Sequence, residues 1–408
     1  MSEKNTWDNI DRRAFMKKST STVAGIAGLA KLGMAGKESR QDTVEPLSIH
    51  VPDAVLDDLQ GRLARTRFPD QLEGAGWAYG TELSYLKELV AYWRSEFDWR
   101  VQERILNRFD HFHTKIDSLK IHFINQRSKE KNAFPLIMIH GWPGSFFEFY
   151  KVIEPLTDPV THGGKPEDAF HVVCPSLPGY GFSEIPRKAG YGCKQMADIF
   201  VKLMARLGYR QYGAHGGDWG SYIATWMAAL NATAMKGLHL NATVANPLEA
   251  TAKQMLLMNL EGDYVAIQST KPQSLGYALN DSPAGLAAWI IEKFRGWSDC
   301  GGNVESSFTK DELLTNIMIY WITQTATSSM RLYYETRKMG WKFIPDERIA
   351  VPAGFTLSRL EPQIPRKQIE ESFHVTHWSV MPSGGHFAEL EEPDLLVKDM
   401  RMFFRNLR

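Results

Sequence analysis

Cysteine, net charge and long apolar runs are scarce in this sequence of 408 residues, and each shortage excludes a class of protein. The three cysteines are an odd number without CxxC spacing, which argues against a disulfide framework, and Cys174 in an apolar run is typical of a core thiol. Lysine plus arginine (47) balances aspartate plus glutamate (47), so no long-range field gathers nucleic acid or acidic membranes. With 43% hydrophobic residues the chain can bury a large core, and a small neutral substrate fits its charge.

The first 40 residues indicate a targeting signal and are not counted as part of the folded domain. Residues 11–17 (DRRAFMK) place two arginines before an apolar residue and a lysine, and the Ala- and Gly-rich stretch after them makes the segment resemble a twin-arginine export signal. Lys31 interrupts the apolar part, which is too short for the roughly 20 apolar residues of a membrane span, so we expect no integral anchor. Small residues at 33–35 favour cleavage after Ala35. We expect export to the periplasm or the medium, with a disordered cytoplasmic tail as the alternative.

From residue 41 onward the hydrophobic pattern alternates between helices and strands. An N-terminal region at residues 41–130 contains two amphipathic helices, marked by Leu59 and Leu63 and by Val90 and Trp93. The continuous apolar run PLIMIH at residues 135–140 then predicts a buried parallel strand. Further short strands, separated mostly by helices, are predicted at residues 170–174, 212–215, 238–240, 349–357 and 374–380.

This alternation predicts an α/β fold with a mostly parallel central sheet flanked by helices. Residues 246–339 interrupt this alternation, because their pattern is helical and shows no clear strand. Proline and glycine separate the helical stretches. We interpret them as a helical cap inserted between two parts of one core, residues 131–245 and 340–408.

The sequence GGDWG at residues 216–220 follows a predicted strand and precedes a predicted helix, which is the context of a nucleophile elbow. Small residues at Gly216 and Gly220 would let a sharp turn lift the central side chain above the sheet without a clash. That central residue is Asp218, and a carboxylate with a reference pKa of ~3.9 is already ionised at neutral pH. It could displace oxygen at a saturated carbon and form an alkyl ester, whereas a serine esterase is excluded.

The partners of such a nucleophile are found later in the chain. His386, in SGGHF at residues 383–387, follows the last predicted strand, and Glu361 lies just beyond the strand at 349–357. The order Asp218, Glu361, His386 is that of nucleophile, acid and histidine in α/β-hydrolases. Glu361 could accept the imidazole proton and fix the ring in one tautomer, and Asp346 is the weaker candidate for this role.

A third motif, HGWPG at residues 140–144, closes the first buried strand. Its turn could aim the backbone N–H of Trp142 at the site, where the N–H of Trp219 would join it to form an oxyanion hole. Each motif alone is a weak signal and usually a turn. Together, in this order and each at a strand end, they indicate an active site.

With these residues the chain resembles the epoxide hydrolases related to the microsomal and juvenile-hormone enzymes, from about Pro46 to the C-terminus. The segments that carry the resemblance are HGWPGS at 140–145, GGDWGS at 216–221 and GGHFA at 384–388, with IQSTKP at 267–272 and ALNDSP at 278–283 in the cap. The family implies an α/β-hydrolase fold with an N-terminal extension and hydrolysis of an epoxide to a diol through an ester on Asp218. It also implies that two cap tyrosines hold the epoxide oxygen, here Tyr264 and Tyr333, with Tyr334 as an adjacent rival.

Two other functions compete with this interpretation. A haloalkane or haloacid dehalogenase shares the aspartate, the histidine and the fold, and Trp142 and Trp219 could hold its halide. The paired cap tyrosines favour the epoxide. A binding protein that kept the hydrolase shell would normally lack one member of the set, and none is missing.

The mechanism needs only side chains and water, so we expect no cofactor and no metal. His111 and His113 share one side of an alternating strand but have no further ligand at suitable spacing. The expected partners are an epoxide, apolar by preference, and water. The sequence leaves the substrate, the regiochemistry and self-association into a homo-oligomer open.

Overall fold

The computed structural model describes residues 43–246, 262–361 and 363–408, whose nine strands form one sheet. The strands are β1 Val44–Leu47, β2 His111–Ile116, β3 Leu119–Gln126, β4 Phe134–Ile139, β5 Phe170–Pro175, β6 Tyr212–Gly216, β7 Met235–Leu240, β8 Ile349–Leu357 and β9 Phe373–Val380. Their spatial order is β1-β2-β3-β5-β4-β6-β7-β8-β9. The six strands from β4 to β9 pair in parallel, and β1, β2 and β3 extend the sheet antiparallel beyond β5. The predicted fold class is confirmed.

The N-terminal region contains three helices, α1 Asp53–Ala64, α2 Leu83–Ser95 and α3 Trp99–Leu106. The sequence pattern predicts the first two, with Leu59, Leu63, Val90 and Trp93 buried as expected. The third helix escapes the pattern because it is only eight residues long and half polar. The edge strand β1 escapes it as well, because it has four residues and contains a proline.

The middle of the sheet is buried on both faces. Leu136, Ile137, Met138 and Ile139 of β4 are fully buried, as expected for a parallel strand between two layers of helices. The helices that accompany the sheet are α4 Ile153–Thr157, α5 Cys193–Arg206, α6 Asp218–Leu230, α12 Arg366–Ser372, α13 Ala388–Glu391 and α14 Pro393–Phe404. The parallel strands therefore end together at one edge, where ligands bind in open α/β sheets.

Between β7 and β8 the described residues form five cap helices, α7 to α11. They are α7 Asp263–Thr270, α8 Pro272–Asp281, α9 Pro283–Trp297, α10 Lys310–Thr323 and α11 Ala326–Lys338. Prolines at the first position of α8 and α9 fit helix starts, since the missing N–H has no intrahelical partner there. The cap is tied to the loop after β4, because Tyr320 donates to the Gly144 carbonyl (2.6 Å) and Ser145 donates to Asn316 (2.8 Å).

The N-terminal helices brace the cap from outside. Arg62 of α1 contacts the Asp281 carboxylate (2.7 Å), and Tyr92 of α2 donates to Asp311 (2.9 Å). Thr81, just before α2, donates to the Ala288 carbonyl of α9 (2.7 Å). The N-terminal region thus helps to fix the helices that cover the sheet's carboxyl edge.

No helix among the described ranges is both long enough and apolar enough to cross a bilayer. The predicted leader at residues 1–40 lies outside the described residues.

Candidate active site

The turn between β6 and α6 lifts one carboxylate above the sheet. Asp218 adopts a positive φ of 45°, which is strained for a side chain with a Cβ and typical of a functional turn. A methyl group at Gly216 would overlap the backbone of Gly220, and one at Gly220 would overlap the Ile139 carbonyl. Both glycines are therefore required for the close approach of strand, turn and helix.

The two oxygens of Asp218 face different groups. Oδ1 accepts the backbone N–H of Trp142 at 2.8 Å, and the N–H of Trp219 also bonds the carboxylate. Oδ2 lies 3.8 Å from Nε2 of His386, an ion-pair distance longer than a hydrogen bond. Burial raises the pKa of Asp218 above its ordinary value, while His386 and the two N–H groups oppose this rise. The pair of N–H donors predicted from the sequence does converge on this side chain.

His386 follows β9 and is oriented from two sides. Its Nδ1 is hydrogen-bonded to Oε1 of Glu361, and its backbone N–H donates to the Trp297 carbonyl of α9 (2.8 Å). Because Nδ1 donates to a carboxylate, Nε2 is the nitrogen that faces Asp218. Burial lowers the pKa of His386, but Glu361 and Asp218 outweigh burial and raise it to about 10.

The structure separates the two candidate acids. Glu361 lies in the bend after β8, in contact with the imidazole. Asp346 precedes β8, is largely exposed and pairs with Lys342. Glu361 is therefore the carboxylate that the fold brings to His386.

The cap side of the site is aromatic. Tyr264 of α7 stacks on Trp142 (ring centroids 5.2 Å apart, 11° between planes), and Tyr333 of α11 packs edge-on to Trp219 (4.7 Å). The two tyrosine rings are 5.9 Å apart. Tyr334 is 42% exposed, whereas Tyr333 is 2% exposed. The structure thus brings Tyr264 and Tyr333 together and leaves Tyr334 outside.

The Tyr333 hydroxyl is buried and has no hydrogen-bond partner within the described part of the chain. Burial, with smaller contributions from Tyr264 and Asp218, raises the pKa of Tyr333 well above its ordinary value, and the Trp219 side chain near this hydroxyl opposes the rise. A buried, protonated hydroxyl without a partner is costly unless a ligand accepts its hydrogen bond.

Two buried charged residues near the site are missed by sequence reasoning. Glu148 follows Gly144 and lies so close that a methyl group on the glycine would overlap its carboxylate. Burial, reinforced by Glu389 and Asp218, raises the pKa of Glu148 well above its ordinary value. Lys293 of α9 is also buried. The available signals were an acid inside the aromatic run FFEF and a lysine on the apolar face of a helix.

His111 and His113, which share one side of β2, contact other side chains. Nδ1 of His111 is 2.9 Å from Nε2 of His122, and His113 pairs with Glu45 (2.7 Å). No group of three or more potential metal ligands occurs within residues 43–246, 262–361 and 363–408.

Two family models match the chain. Residues 44–149 match the epoxide hydrolase N terminus, and residues 135–264 match the alpha/beta hydrolase fold. Epoxide hydrolase 1 of Sus scrofa is 41% identical, over 90% of this chain and 89% of that protein. The crystal structure of juvenile hormone epoxide hydrolase from Bombyx mori has a TM-score of 0.83 at 33% identity, over 90% of this chain and 95% of that one. The Aspergillus niger epoxide hydrolase structure has a TM-score of 0.78 at 30% identity, over 90% and 97%.

Proposed function

The chain belongs to the epoxide hydrolase family and is an epoxide hydrolase of the α/β-hydrolase fold, and from this premise we propose that Asp218 is its nucleophile. The observation that carries the proposal is the orientation of this carboxylate. Oδ1 accepts the Trp142 N–H at 2.8 Å, while Oδ2 is turned toward the imidazole. One oxygen is thus held as a future ester carbonyl, and the other is available for attack.

In the first step Asp218 Oδ2 forms a bond to one epoxide carbon, and the bond from that carbon to the ring oxygen breaks. The departing alkoxide is strongly basic, and a phenol with a reference pKa near 10 can protonate it at neutral pH. Tyr264 and Tyr333 are the two phenols at the site. The unpaired hydroxyl of Tyr333 supports its role as a donor to the epoxide oxygen. The phenolate left behind recovers a proton from the His386 imidazolium.

In the second step His386 becomes the base that activates water. Before attack it faces the charges of both Glu361 and Asp218. Esterification removes the charge on Asp218, so the pKa of His386 falls when a base is needed. Water then loses a proton to Nε2 and attacks Cγ of Asp218, and the N–H groups of Trp142 and Trp219 hold the oxyanion. Collapse releases the diol and restores the carboxylate and the imidazolium.

The dehalogenase alternative is not favoured, because the relatives are named epoxide hydrolases. The indole rings that would bind a halide also pack against phenols, Trp142 on Tyr264 and Trp219 on Tyr333. Such phenols suit a basic alkoxide, whereas a halide ion needs no proton.

A single turnover with styrene oxide in heavy-oxygen water tests the nucleophile. We expect a diol to form and solvent oxygen to appear on the peptide that contains Asp218, because water attacks Cγ. Asp218→Asn should lower turnover by at least about 10³-fold, whereas Asp346→Asn, at an exposed carboxylate, is the matched control and should still become labelled. Label in the diol alone would contradict an ester on Asp218. Release of halide from a chloroalkane, with the epoxide intact, would replace the function by dehalogenation.

We also propose that the enzyme is exported and removes reactive epoxides outside the cytoplasm, which amounts to detoxification. The support is the twin-arginine-like segment at residues 11–17 and the chemistry, since ring opening turns an alkylating agent into an unreactive diol. Lysine substitution of Arg12 and Arg13 should retain the protein in the cytoplasm of its native host. A mature protein that begins at Met1 or Ser2 would instead indicate a cytoplasmic enzyme.

A further inference from the structure

Lys293 is a cation in an environment that normally excludes one. It is 7% exposed and lies on the buried face of α9 with Ile290, Ile291 and Phe294. Its Nζ is 4.7 Å from the ring centroid of Tyr264 and 5.7 Å from that of Trp297. It forms an ion pair with the neighbouring Glu292, which is 2.6 Å away and partly exposed. The ammonium therefore lies between a surface carboxylate and the aromatic wall of the site.

A methionine or leucine would fill this position at lower cost, because burying an ammonium loses hydration that ion pairing only partly replaces. Positions that break such a local rule are most often functional. The neighbouring ring is informative, since Tyr264 is one of the two phenols assigned above to the epoxide oxygen. Among the described residues, no lysine or arginine lies over the ring of the other cap phenol, Tyr333.

We propose that Lys293 is a positioning residue that makes Tyr264 a better proton donor during ring opening. This inference rests on the proposed role of Tyr264. As the phenol begins to transfer its proton, negative charge grows on the ring and its oxygen. A cation at 4.7 Å from the ring stabilises that charge more than it stabilises the neutral phenol. The benefit arises only in the transition state of the first step, so it increases the rate of alkylation.

This role predicts which step is affected. Loss of the cation should slow formation of the alkyl ester and leave ester hydrolysis unchanged, because water attack uses His386 and the two backbone N–H groups instead of Tyr264. The effect should also depend on the alkoxide. A trifluoromethyl group beside the ring makes the departing oxygen less basic, so that less assistance from the phenol is needed.

The test is a stopped-flow measurement of both steps in Lys293→Met, which keeps an unbranched side chain of similar length. With 1,2-epoxypropane we expect alkylation to slow about tenfold, equivalent to about 1.4 kcal/mol, and hydrolysis of the ester to stay within twofold. With the 3,3,3-trifluoro analogue the loss should shrink to about threefold. Equal losses in both steps, or equal losses for both epoxides, would indicate a packing defect and overturn the inference.

Lys310→Met is the matched control. Lys310 lies 5.6 Å from the Tyr92 ring and pairs with Glu88, so it repeats the arrangement of lysine, glutamate and tyrosine away from the site. Its alkylation rate should equal that of the wild type. If Lys293→Met fails to fold, Glu292→Gln at the half-exposed partner provides a second test. It should leave the ammonium less neutralised and raise alkylation about twofold, and a fall would overturn the inference.

Tyr264→Phe separates this inference from the function on which it rests. If Tyr264→Phe slows alkylation and Lys293→Met adds no further loss in that background, the two residues act through one interaction. If Tyr264→Phe slows alkylation but Lys293→Met does not, the inference on the lysine fails alone. If Tyr264→Phe leaves alkylation unchanged, the role of Tyr264 and the inference on Lys293 both fail.

Discussion

Two buried histidines in this protein each contact a carboxylate, yet their pKa values are shifted in opposite directions. His386 contacts Glu361 at the active site, and His239 of β7 contacts Asp399 of α14 (3.0 Å) in the buried interior. Burial lowers the pKa of both imidazoles, yet the pKa of His386 is raised to about 10 and that of His239 is lowered to about 4. A carboxylate partner alone therefore does not decide whether a buried histidine is charged.

The difference lies in the other neighbours. His386 faces a second carboxylate, Asp218, whereas His239 faces another imidazole, with Nδ1 of His215 2.8 Å from its own Nδ1. Asp399 is also shared, because it accepts hydrogen bonds from Thr356 and His377 as well. Asp399 is thus divided among three donors, whereas the active-site histidine faces two carboxylates, Glu361 and Asp218.

The buried network also fixes its protons. Nε2 of His239 donates to Asp399, so the neutral ring can only accept at Nδ1, and His215 must donate there. Nε2 of His215 then faces Glu389 at 2.9 Å. At His386 only Nδ1 is committed in this way, because Nε2 is 3.8 Å from Asp218. A network whose polar atoms all have hydrogen-bond partners stabilises the fold, whereas a ring nitrogen without such a partner can exchange protons.

The largest expected difference between the pairs is in turnover. His386→Gln should lower kcat by about 10³-fold or more, because the ester forms but water has no base, and the alkyl-enzyme should accumulate to one equivalent in a mass spectrum. His239→Gln should keep kcat within about threefold of the wild type per folded molecule. A loss of equal size in both variants would show that the buried pair also takes part in catalysis.

The next difference concerns stability against pH. Below pH ~6.5 the unfolded chain protonates its histidines, but native His239, with a pKa of about 4, does not, so the unfolding free energy falls between these values. The contribution is about 3 kcal/mol. His386 behaves oppositely, since its stabilisation is complete below pH ~6.5 and is lost as the pH rises through about 10.

Urea unfolding at pH 4.5 and 6.5 measures the first effect. The wild type should lose several kcal/mol on acidification, because His111 and His140, with pKa values lowered to about 4, add to the loss. His239→Gln should be less stable at pH 6.5 but lose about 2 kcal/mol less between pH 6.5 and 4.5. An unchanged slope would mean that His239 is protonated in the native protein.

Glu361→Gln should have a smaller effect on activity than loss of the histidine itself. The amide can still accept the Nδ1 proton, so the ring stays oriented, but the charge that raises the pKa of His386 is lost. We expect ester hydrolysis to slow about 30-fold, and the acid limb of its pH profile to move to lower pH. If the limb stays in place, another carboxylate controls the histidine.

Local motifs made the core side of the site predictable. Asp218, His386 and Trp142 each lie in a short segment whose turn places the group at a strand end, so their positions follow from neighbours in sequence. The choice between Tyr333 and Tyr334 does not, because adjacent helical residues point about 100° apart and only packing shows which one is buried. The network of His239 and Asp399 was missed for a similar reason, since its partners lie 160 residues apart.

The smallest expected effect is at the rival acid. Asp346 pairs with Lys342 on the surface, and such exposed pairs contribute little to stability. Asp346→Asn should therefore leave both reaction rates within about twofold of the wild type, with the acid limb of ester hydrolysis unmoved. Measured beside Glu361→Gln in the same buffers, it separates the effect of a carboxylate in contact with the imidazole from that of a charge elsewhere on the protein. A shifted limb in Asp346→Asn would mean that long-range charge, and not the direct contact, raises the pKa of His386, and the contrast between the two histidine pairs would then need a different cause.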